Sequence, residues 1–265
     1  MKPIILCADD FAVHESASRG IAQLARLGRI SATSAMVLSP RWAQDAALLR
    51  ELRGSIDVGL HLDWTSDFAA AAGHGVPLAA AILRSASGGF AREKARAVIE
   101  HQLDAFETQW KAPPDHVDGH QHVQQFAGIR EALVQTLASR YGERKPTLRI
   151  SRPPPGASSL KSRFIAALGA RPLETMARKA GIAMTPHLLG SYDFSLSRAR
   201  YGQRMQAWLR DAPAHSCIMC HPALAAEPGD AIGAAREREG AYLASADFAA
   251  ALTQSGVELV RGGCR

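Results

Sequence analysis

Ionisable side chains occupy alternate positions in the segment His116–His122, which has the sequence HVDGHQH. Imidazole and carboxylate groups are common ligands of transition metals and common proton carriers near neutral pH. Because alternate residues of a β-strand face the same side, a strand here would gather the three histidines and Asp118 on one face. The segment therefore predicts a metal or proton-transfer site.

Similar groups follow other apolar runs of the chain. Asp9 and Asp10 follow the first such run, His61 lies near the end of another, and His221 directly follows a third. Taken singly, each has an ordinary alternative explanation, because an aspartate pair can cap a helix and a buried histidine can satisfy core hydrogen bonds. Several such groups, each ending an apolar run, favour a metal-dependent enzyme.

The length and the cysteines indicate the general class of protein. A chain of 265 residues can bury a full core, and we expect one barrel domain over residues 1–265. No apolar stretch approaches the roughly 20 residues needed to span a bilayer, and the first apolar run is too short for a signal peptide. The spacing of Cys7, Cys217, Cys220 and Cys264 indicates no disulfide framework. We therefore expect a cytoplasmic protein.

One segment, Cys217–His221, also matches the C-x-x-C-H pattern of covalent haem attachment. Its apolar character favours a strand instead, and in a strand Cys217 and Cys220 would point to opposite faces. The sequence therefore predicts a strand here and no haem.

Positive charge is concentrated in residues 140–179, which carry ten Lys or Arg and two Glu. This segment has a net charge of +8 within a chain whose net charge is +6. Such a segment could contact an acidic substrate or an anionic membrane, as a peripheral protein at the inner membrane would. A solvated surface is the alternative, and no nucleic-acid motif accompanies the charge.

Strand-like and helix-like patterns alternate along the chain. The predicted strands are Ile4–Ala8, Ser31–Leu38, Ile56–Leu62, His116–His120, Leu148–Ser151, Ile182–Met184, Cys217–Cys220 and Val257–Val260. The predicted helices are Ser16–Leu27, Trp42–Leu52, Glu93–Trp110, Ile129–Tyr141, Leu160–Leu168, Leu173–Lys179, Ala199–Leu209 and Tyr242–Thr253, and Phe68–Phe90 is predicted to be a loop. This alternation predicts an α/β fold with seven or eight mostly parallel strands in a closed or nearly closed barrel. The candidate groups would then meet at the carboxyl ends of the strands.

Four motifs give the chain a resemblance to a known family. They are Ala8-Asp9-Asp10-Phe11, Gly59-Leu60-His61-Leu62, the segment His116–His122 and Met219-Cys220-His221-Pro222. In this order they resemble the motifs of the YdjC-like carbohydrate deacetylases, which include chitooligosaccharide deacetylases and a hopanoid-biosynthesis-associated branch. The stretch Ser151-Arg152-Pro153 favours the hopanoid branch. The resemblance implies a distorted (β/α) TIM-like barrel and a role in carbohydrate metabolism.

The resemblance also implies roles for individual residues. Asp10, His61 and His120 would hold one divalent metal, Asp9 would be the general base, and His221 would be the general acid. The reaction implied is removal of the N-acetyl group from an amino sugar by an activated water. The donor set fits Zn²⁺ or Mg²⁺, with Mn²⁺, Co²⁺ and Ni²⁺ as alternatives.

Five further residues are candidates for supporting or substrate-binding roles. Asp118 is expected to orient His120 from behind, and His122 matches a motif histidine of less defined role. Arg149 and Arg152 lie at another predicted strand end and could reach a substrate or a lipid phosphate. Trp64 could stack on a sugar ring or pack in the core.

Three positions depart from the usual family pattern without removing a proposed ligand. Ala12 stands where glycine is common after Asp-Asp-Phe, Gln124 stands where a further histidine is common, and Ala223 replaces a common glycine. We expect the changes at Ala12 and Ala223 to be tolerated and the change at Gln124 to affect a peripheral contact.

Other functions fit the same residues. The substrate is expected to be an N-acetylated sugar or a glycolipid such as a GlcNAc-linked hopanoid. The chain could instead be another metal hydrolase, such as a phosphoesterase or an amidohydrolase of small amides, or a non-catalytic binding protein of a lipid pathway. A homodimer stays open as an alternative to a monomer.

Overall fold

A curved parallel sheet forms the centre of the computed structural model, which describes residues 1–156 and 159–262. Its strands are β1 (Lys2–Phe11), β2 (Ala32–Ala35), β3 (Asp57–Leu62), β4 (His116–Gly119), β5 (Thr147–Arg149), β6 (Met184–Thr185), β7 (Leu188–Leu189), β8 (Cys217–Cys220) and β9 (Val257–Leu259). The order across the sheet is β6-β5-β4-β3-β2-β1-β8-β7, and β9 pairs with the start of β1. All of these pairs are parallel, as the alternation of elements predicted.

One extended stretch brings the two ends of this sheet together. β6 pairs with β5 through Leu148 and Met184, and after two intervening residues β7 pairs with β8 through Leu188 and Cys217. The same short stretch of chain therefore lies beside both edge strands. The sheet is a nearly closed barrel surrounded by helices, which confirms the predicted fold class.

Helices cover the outside of the barrel. They are α1 (Glu15–Arg26), α2 (Trp42–Asp45), α3 (Asp67–Ala71), α4 (Leu78–Ala86), α5 (Arg92–Trp110), α6 (Ile129–Tyr141), α7 (Leu160–Ala167), α8 (Ala170–Lys179), α9 (Arg198–Asp211), α10 (Gly233–Leu243) and α11 (Ala246–Gln254). Two 3₁₀ helices, Ala46–Leu52 and His120–Gln125, complete the described elements. None of the helices in the described part of the chain combines the length and the apolar character that a bilayer crossing requires.

Alternation along β1 separates the outer core from the barrel interior. Ile4, Leu6 and Ala8 belong to the large apolar core. Ile5 and Cys7 instead join a smaller cluster that includes residues of β2, β7 and β8. Asp9 continues this second row, because successive residues of a strand face opposite sides. The strand therefore carries an ionisable group into the barrel interior at its carboxyl end.

Several helices differ from the sequence prediction. The predicted helix Trp42–Leu52 is the short α2 followed by a 3₁₀ helix, and most of α10 was not predicted. The segment Phe68–Phe90 was predicted to be a loop, but it contains most of α3 and all of α4. Alanine-rich sequence has high helix propensity, and Leu78, Ala81 and Ile82 share a face of α4 that packs on the core, so a helix signal was present but was obscured by the glycine- and alanine-rich composition of the stretch. The predicted helix Tyr242–Thr253 is two helices, because Ser245 caps α11 after α10 has ended.

The cysteines follow the prediction where the structure describes them. Cys7, Cys217 and Cys220 are free and buried, and Cys264 lies outside the described residues. The segment Cys217–Cys220 is β8, as predicted.

Candidate active site and its metal-binding residues

Three of the predicted site residues converge at the carboxyl ends of β1, β3 and β4. Donor atoms of Asp10, His61 and His120 all lie within 4.8 Å of one another. The Asp10 Oδ1 atom is 3.3 Å from His61 Nε2 and 3.1 Å from His120 Nδ1. One carboxylate oxygen and two imidazole nitrogens therefore surround a single small volume.

An irregularity in β1 allows two consecutive aspartates to serve the same site. The pairing of β1 with β2 shifts register between Ala8 and Phe11, and Asp10 and Ala12 adopt φ values of 65° and 73°. In regular strand geometry Asp9 and Asp10 would face opposite sides. The left-handed backbone at Ala12 also explains why glycine suits this position in related sequences, since glycine adopts positive φ without a Cβ penalty.

The predicted alternation of side chains between two strand faces over His116–His122 is present in β4 and stops where β4 ends. The strand ends at Gly119, and Gln121 and His122 have φ values of 52° and 64°. His120 therefore begins a 3₁₀ helix at the strand end, and the prediction of one shared strand face for all four groups is wrong. Gly119 immediately precedes this change of backbone direction. The spacing of ionisable residues at every second position could not reveal the change.

Asp118 contacts His61, which corrects the expected pairing with His120. The two residues face each other across β3 and β4, and His61 Nδ1 lies 2.6 Å from Asp118 Oδ1. Ser34 donates to the other carboxylate oxygen of Asp118 at 2.6 Å. With its Nδ1 proton directed at Asp118, His61 presents its Nε2 towards Asp10.

Buried charges determine the protonation of the Asp10 and His61 side chains. Burial alone would raise the pKa of Asp10, but Arg236 and His120 hold it well below its ordinary value. Burial would lower the pKa of His61, but Asp118 and Asp10 raise it well above the ordinary value. The carboxylate is thus ionised, and cation binding at His61 would release a proton, because imidazole ligates in its neutral form.

Asp9 is held by a buried arginine. Arg149 Nη1 and Nη2 donate to the two carboxylate oxygens of Asp9 at 2.6 and 2.7 Å, and Nη2 is 3.0 Å from Asp118. Burial opposes the charged form of Arg149, but Asp118 and Asp9 raise its pKa well above the ordinary value. Such a paired fork fixes the orientation of the carboxylate. Arg149 is 1% exposed, so the structure places it against Asp9 rather than at the surface where a lipid phosphate could reach it.

Two other candidates lie away from this cluster of contacts. Arg152 Nη1 donates to Glu174 at 2.7 Å and Nη2 donates to the carbonyl of Pro186 at 3.2 Å, so it braces α8 and the residue after β6. Trp64 is 2% exposed and packs edge-on against His74 and Phe90. A ring buried in this way offers no free face to a sugar. Trp64 therefore packs in the core, which was the second of its two expected roles.

His122 is half-buried beside the site. Its Nδ1 lies 3.0 Å from the hydroxyl of Ser151, and burial together with Arg149 lowers the pKa of His122 to about 3. Gln124 is buried and donates to the Arg149 carbonyl and to Ser151. His122 is therefore neutral, and Gln124 links the segment to β5 in place of the histidine that is common there.

His221 follows β8 and is held through its backbone. Its N–H donates to Glu239 Oε2 at 2.6 Å, and Glu239 also accepts from the hydroxyls of Tyr192 and Tyr201. Burial lowers the pKa of His221, against the raising effects of Asp10 and nearby acids. The ring packs edge-to-face with Phe194 at 5.3 Å, and its Nδ1 has no partner within the described residues.

The sequence did not identify three residues that support the site. Ser34 bonds to Asp118, Arg236 donates to Asp10 Oδ2 at 2.7 Å, and Glu239 holds His221. Ser34 lies in a predicted strand between those that carry Asp10 and His61, so the sequence could have indicated that it lies near the site. Arg236 and Glu239 lie in α10, whose low amphipathicity gave no sequence signal for a helix.

Gly59 has a clear structural purpose within its motif. A Cβ at this position would lie 2.3 Å from His116 Nε2, so glycine leaves room for the His116 ring. That ring lies 2.9 Å from the Ser34 hydroxyl, which in turn donates to Asp118. Gly59 therefore permits the packing of His116 against Ser34, and Ser34 in turn holds Asp118.

The donor chemistry fits a divalent transition metal. Asp10, His61 and His120 offer one oxygen and two nitrogen donors, which suit Zn²⁺ and neighbouring ions. Three protein donors also match catalytic metal sites, which keep positions open for water and substrate.

Comparisons with known proteins identify relatives of this chain. A chitooligosaccharide deacetylase of Serratia marcescens is 28% identical to this chain over 236 residues, covering 84% of this chain and 82% of the relative. A second chitooligosaccharide deacetylase, from Enterobacter sp. (strain 638), is 28% identical over 146 residues, covering 53% of this chain and 57% of the relative.

Solved structures show the same fold. A crystal structure from Enterococcus faecalis, of a protein assigned to cellobiose-phosphate cleavage, is 20% identical with a TM-score of 0.72 and covers 98% of this chain and 97% of its own. A family 4 acetyl xylan esterase from Clostridium thermocellum, in complex with a cobalt ion, is 9% identical with a TM-score of 0.55. The match covers 98% of this chain and 88% of the esterase chain.

A family model provides the assignment. The model described as YdjC-like protein matches residues 3–254, which include all four sequence motifs and the residues that converge in the candidate site. The chain belongs to the YdjC-like protein family.

Proposed function

We propose that this protein is a metal-dependent carbohydrate N-deacetylase, which hydrolyses the acetamide of an N-acetylated amino sugar. The observation that carries the proposal is the meeting of Asp10, His61 and His120 around one small volume, with Asp9, which Arg149 holds, next to Asp10 in sequence. The resemblance to a chitooligosaccharide deacetylase over 84% of the chain supports this substrate class. We infer that residues 1–265 act as one barrel domain.

Asp10, His61 and His120 would hold the cation. When bound, a divalent cation lowers the pKa of a water to about 7 and polarises the acetyl carbonyl. Zn²⁺ and Mg²⁺ are the first candidates, and the two imidazole donors suit Zn²⁺, Mn²⁺, Co²⁺ or Ni²⁺ better than Mg²⁺. Asp118 keeps the Nδ1 proton of His61, so its Nε2 is free to act as the donor.

Asp9 is the general base. It accepts a proton from the water as the water oxygen bonds to the acetyl carbon. Arg149 donates to both Asp9 oxygens, which fixes the direction of the carboxylate. Base assistance of this kind contributes about 10²- to 10⁴-fold to the rate.

His221 is the general acid. As the bond between the acetyl carbon and the nitrogen breaks, His221 donates a proton to that nitrogen, because an amide anion is too basic to leave unaided. Glu239 fixes the backbone that carries the ring, and Phe194 packs against the ring itself. The products are acetate and a free amino sugar.

A leaving-group comparison tests the role of His221. In His221→Gln, hydrolysis of the sugar acetamide should fall by about 10²- to 10⁴-fold. Hydrolysis of an aryl acetate ester should fall much less, because a phenolate leaves without a proton. Since the acid must be protonated, wild-type amide hydrolysis should also slow as the pH rises through the lowered pKa of His221. Equal losses on amide and ester would contradict the assignment.

A substrate panel distinguishes this activity from its alternatives. Zn²⁺-loaded protein is incubated with an N-acetylglucosamine oligomer, an aryl phosphate and a small aliphatic amide, and acetate, phosphate and ammonia are measured. The proposal predicts acetate from the oligomer. Phosphate or ammonia without acetate would identify another metal hydrolase, and no product from any substrate would favour a binding protein.

We further propose that the substrate is a glycolipid, such as a GlcNAc-linked hopanoid, at the cytoplasmic face of an anionic membrane. The support is α7, which exposes Leu160 (84%) and Phe164 (56%) beside Lys161 and Arg163. Lys161 lies 4.9 Å above the Phe194 ring, and Phe194 packs against His221. An apolar and basic helix therefore adjoins the proposed general acid.

Charge reversal on α7 tests the membrane proposal. In Lys161→Glu/Arg163→Glu, binding to anionic phospholipid vesicles should weaken about 30-fold or more, since each basic residue near such a surface contributes about 1 kcal/mol. The matched control is Arg92→Glu/Lys94→Glu on α5, which makes the same change of charge at exposed positions. Co-sedimentation measures both, and unchanged binding of the α7 variant would contradict the proposal.

A further inference from the structure

The two oxygens of Asp10 have different partners. Oδ1 faces His61 and His120 at 3.3 and 3.1 Å. Oδ2 accepts a hydrogen bond from Arg236 Nη2 at 2.7 Å, and both side chains are almost completely buried. One oxygen is therefore directed at the candidate cation site while the other is occupied.

Arg236 is itself held from two sides. Its Nε donates to Asp230 Oδ2 at 2.7 Å, and its backbone carbonyl accepts from the N–H of Ala223, two residues after His221. With its Nε and its backbone carbonyl held in this way, the Arg236 side chain cannot rotate freely. These two contacts do not involve Asp10, so they orient the Arg236 guanidinium independently of it.

His14 completes this support. Its Nδ1 accepts from the N–H of Ala17 at the start of α1, so the ring proton lies on Nε2. That nitrogen is 3.2 Å from Asp230 Oδ2 and donates to it. The network connects the segment after β1 to the loop before α10, and it makes His14 a structural residue.

We propose that Arg236, braced by Asp230 and His14, is a positioning residue that leaves a single oxygen of Asp10 available to the cation. The proposal rests on the proposed function in one respect, namely that Asp10 is a metal ligand. Partners of this kind are usually required for tight ligation, and their loss typically weakens metal binding by 10- to 100-fold.

Orientation and charge have opposite expected effects here, which makes the proposal testable. The positive charge of Arg236 repels a cation, so removal of the charge alone would strengthen cation binding. Loss of the fixed orientation would weaken it, because a freely rotating Asp10 must be ordered when the cation binds. The sign of the change therefore identifies which effect dominates.

The experiment measures Zn²⁺ affinity without substrate, by competition with a chromophoric chelator. Arg236→Gln and Arg236→Lys should each bind Zn²⁺ about 10- to 100-fold more weakly than wild type, the first despite its lost charge and the second with its charge kept. Asp230→Asn should shift the affinity in the same direction. The matched control is Arg261→Gln, which removes an arginine paired with Asp57 away from the candidate cation site and should change affinity less than twofold.

Thermal unfolding of the metal-free proteins shows which variants are folded, and Arg236→Lys or Asp230→Asn replaces Arg236→Gln if that variant unfolds. Unchanged or higher Zn²⁺ affinity in the folded variants would overturn the proposal, as would a wild-type protein that binds no Zn²⁺. Weaker Zn²⁺ binding in the variants of a protein that releases no acetate would support the positioning role while contradicting the proposed function.

Discussion

Replacing His120 with alanine should remove the cation from the protein and lower acetate release by at least about 10³-fold. His120 supplies one of three donors that lie within 4.8 Å of one another, and the remaining pair of Asp10 and His61 is a poor site for one ion. The rate loss corresponds to about 4 kcal/mol, in line with the several kcal/mol that a cation contributes to a hydrolytic transition state.

Metal content and rate are measured on the same samples. The control is His101→Ala, which removes an exposed imidazole from α5 and should alter neither quantity. A His120→Ala protein that keeps one tightly bound ion and full activity would contradict the ligand assignment. If wild type and variant both lack the metal but bind the same lipid or sugar, the protein is a non-catalytic binder.

Replacing Asp9 with asparagine should lower acetate release by about 10²- to 10⁴-fold while the metal content stays unchanged. The amide cannot accept the proton of the attacking water, and Asp9 is not among the three proposed ligands. Arg149 keeps its contact with Asp118 at 3.0 Å, so the change leaves the buried guanidinium with one carboxylate partner. We expect a lower melting temperature, since breaking a buried ion pair is destabilising.

The control for this substitution is Asp57→Asn, which removes the carboxylate that Arg261 contacts at the start of β3. It should lower stability without a comparable loss of rate. Loss of the bound metal in Asp9→Asn would indicate that Asp9 is a ligand rather than the base.

The sequence predicted the fold because strand-like runs alternate with helix-like stretches along most of the chain. β8 was predicted to the residue and the alternating elements gave the sheet, because strands buried on both faces are continuous apolar runs. The missed helices have a physical reason. α10 has little amphipathic character and so lacks the periodicity that predicts a helix, whereas α4 is amphipathic but lies in a stretch whose many alanines and glycines favour a loop interpretation.

The candidate site was predictable in its residue types more than in its contacts. Local spacing identified the carboxylates and imidazoles, but spacing assumes regular backbone geometry. The register shift in β1 and the end of β4 at Gly119 break that assumption at the site itself. For the same reason Asp118 pairs with His61 across the sheet rather than supporting its neighbour in sequence.

Long-range ion pairs were beyond sequence reasoning. Arg149 contacts a residue 140 positions earlier, and Arg236 contacts one 226 positions earlier. Arginine at a strand end or in a helix is ordinary on a protein surface, and burial distinguishes these two from the others. Their partners can be identified from the folded structure, in which Arg149 of β5 and Arg236 of α10 contact residues of β1.

The most direct test of the central claim is acetate release from an N-acetylglucosamine oligomer by metal-stripped protein before and after Zn²⁺ is restored. We expect equal amounts of acetate and free amine from the restored wild type. We expect almost none from the stripped protein or from Asp9→Asn that carries the same Zn²⁺. Acetate release at the wild-type rate by Asp9→Asn, or by the stripped protein, would contradict the claim.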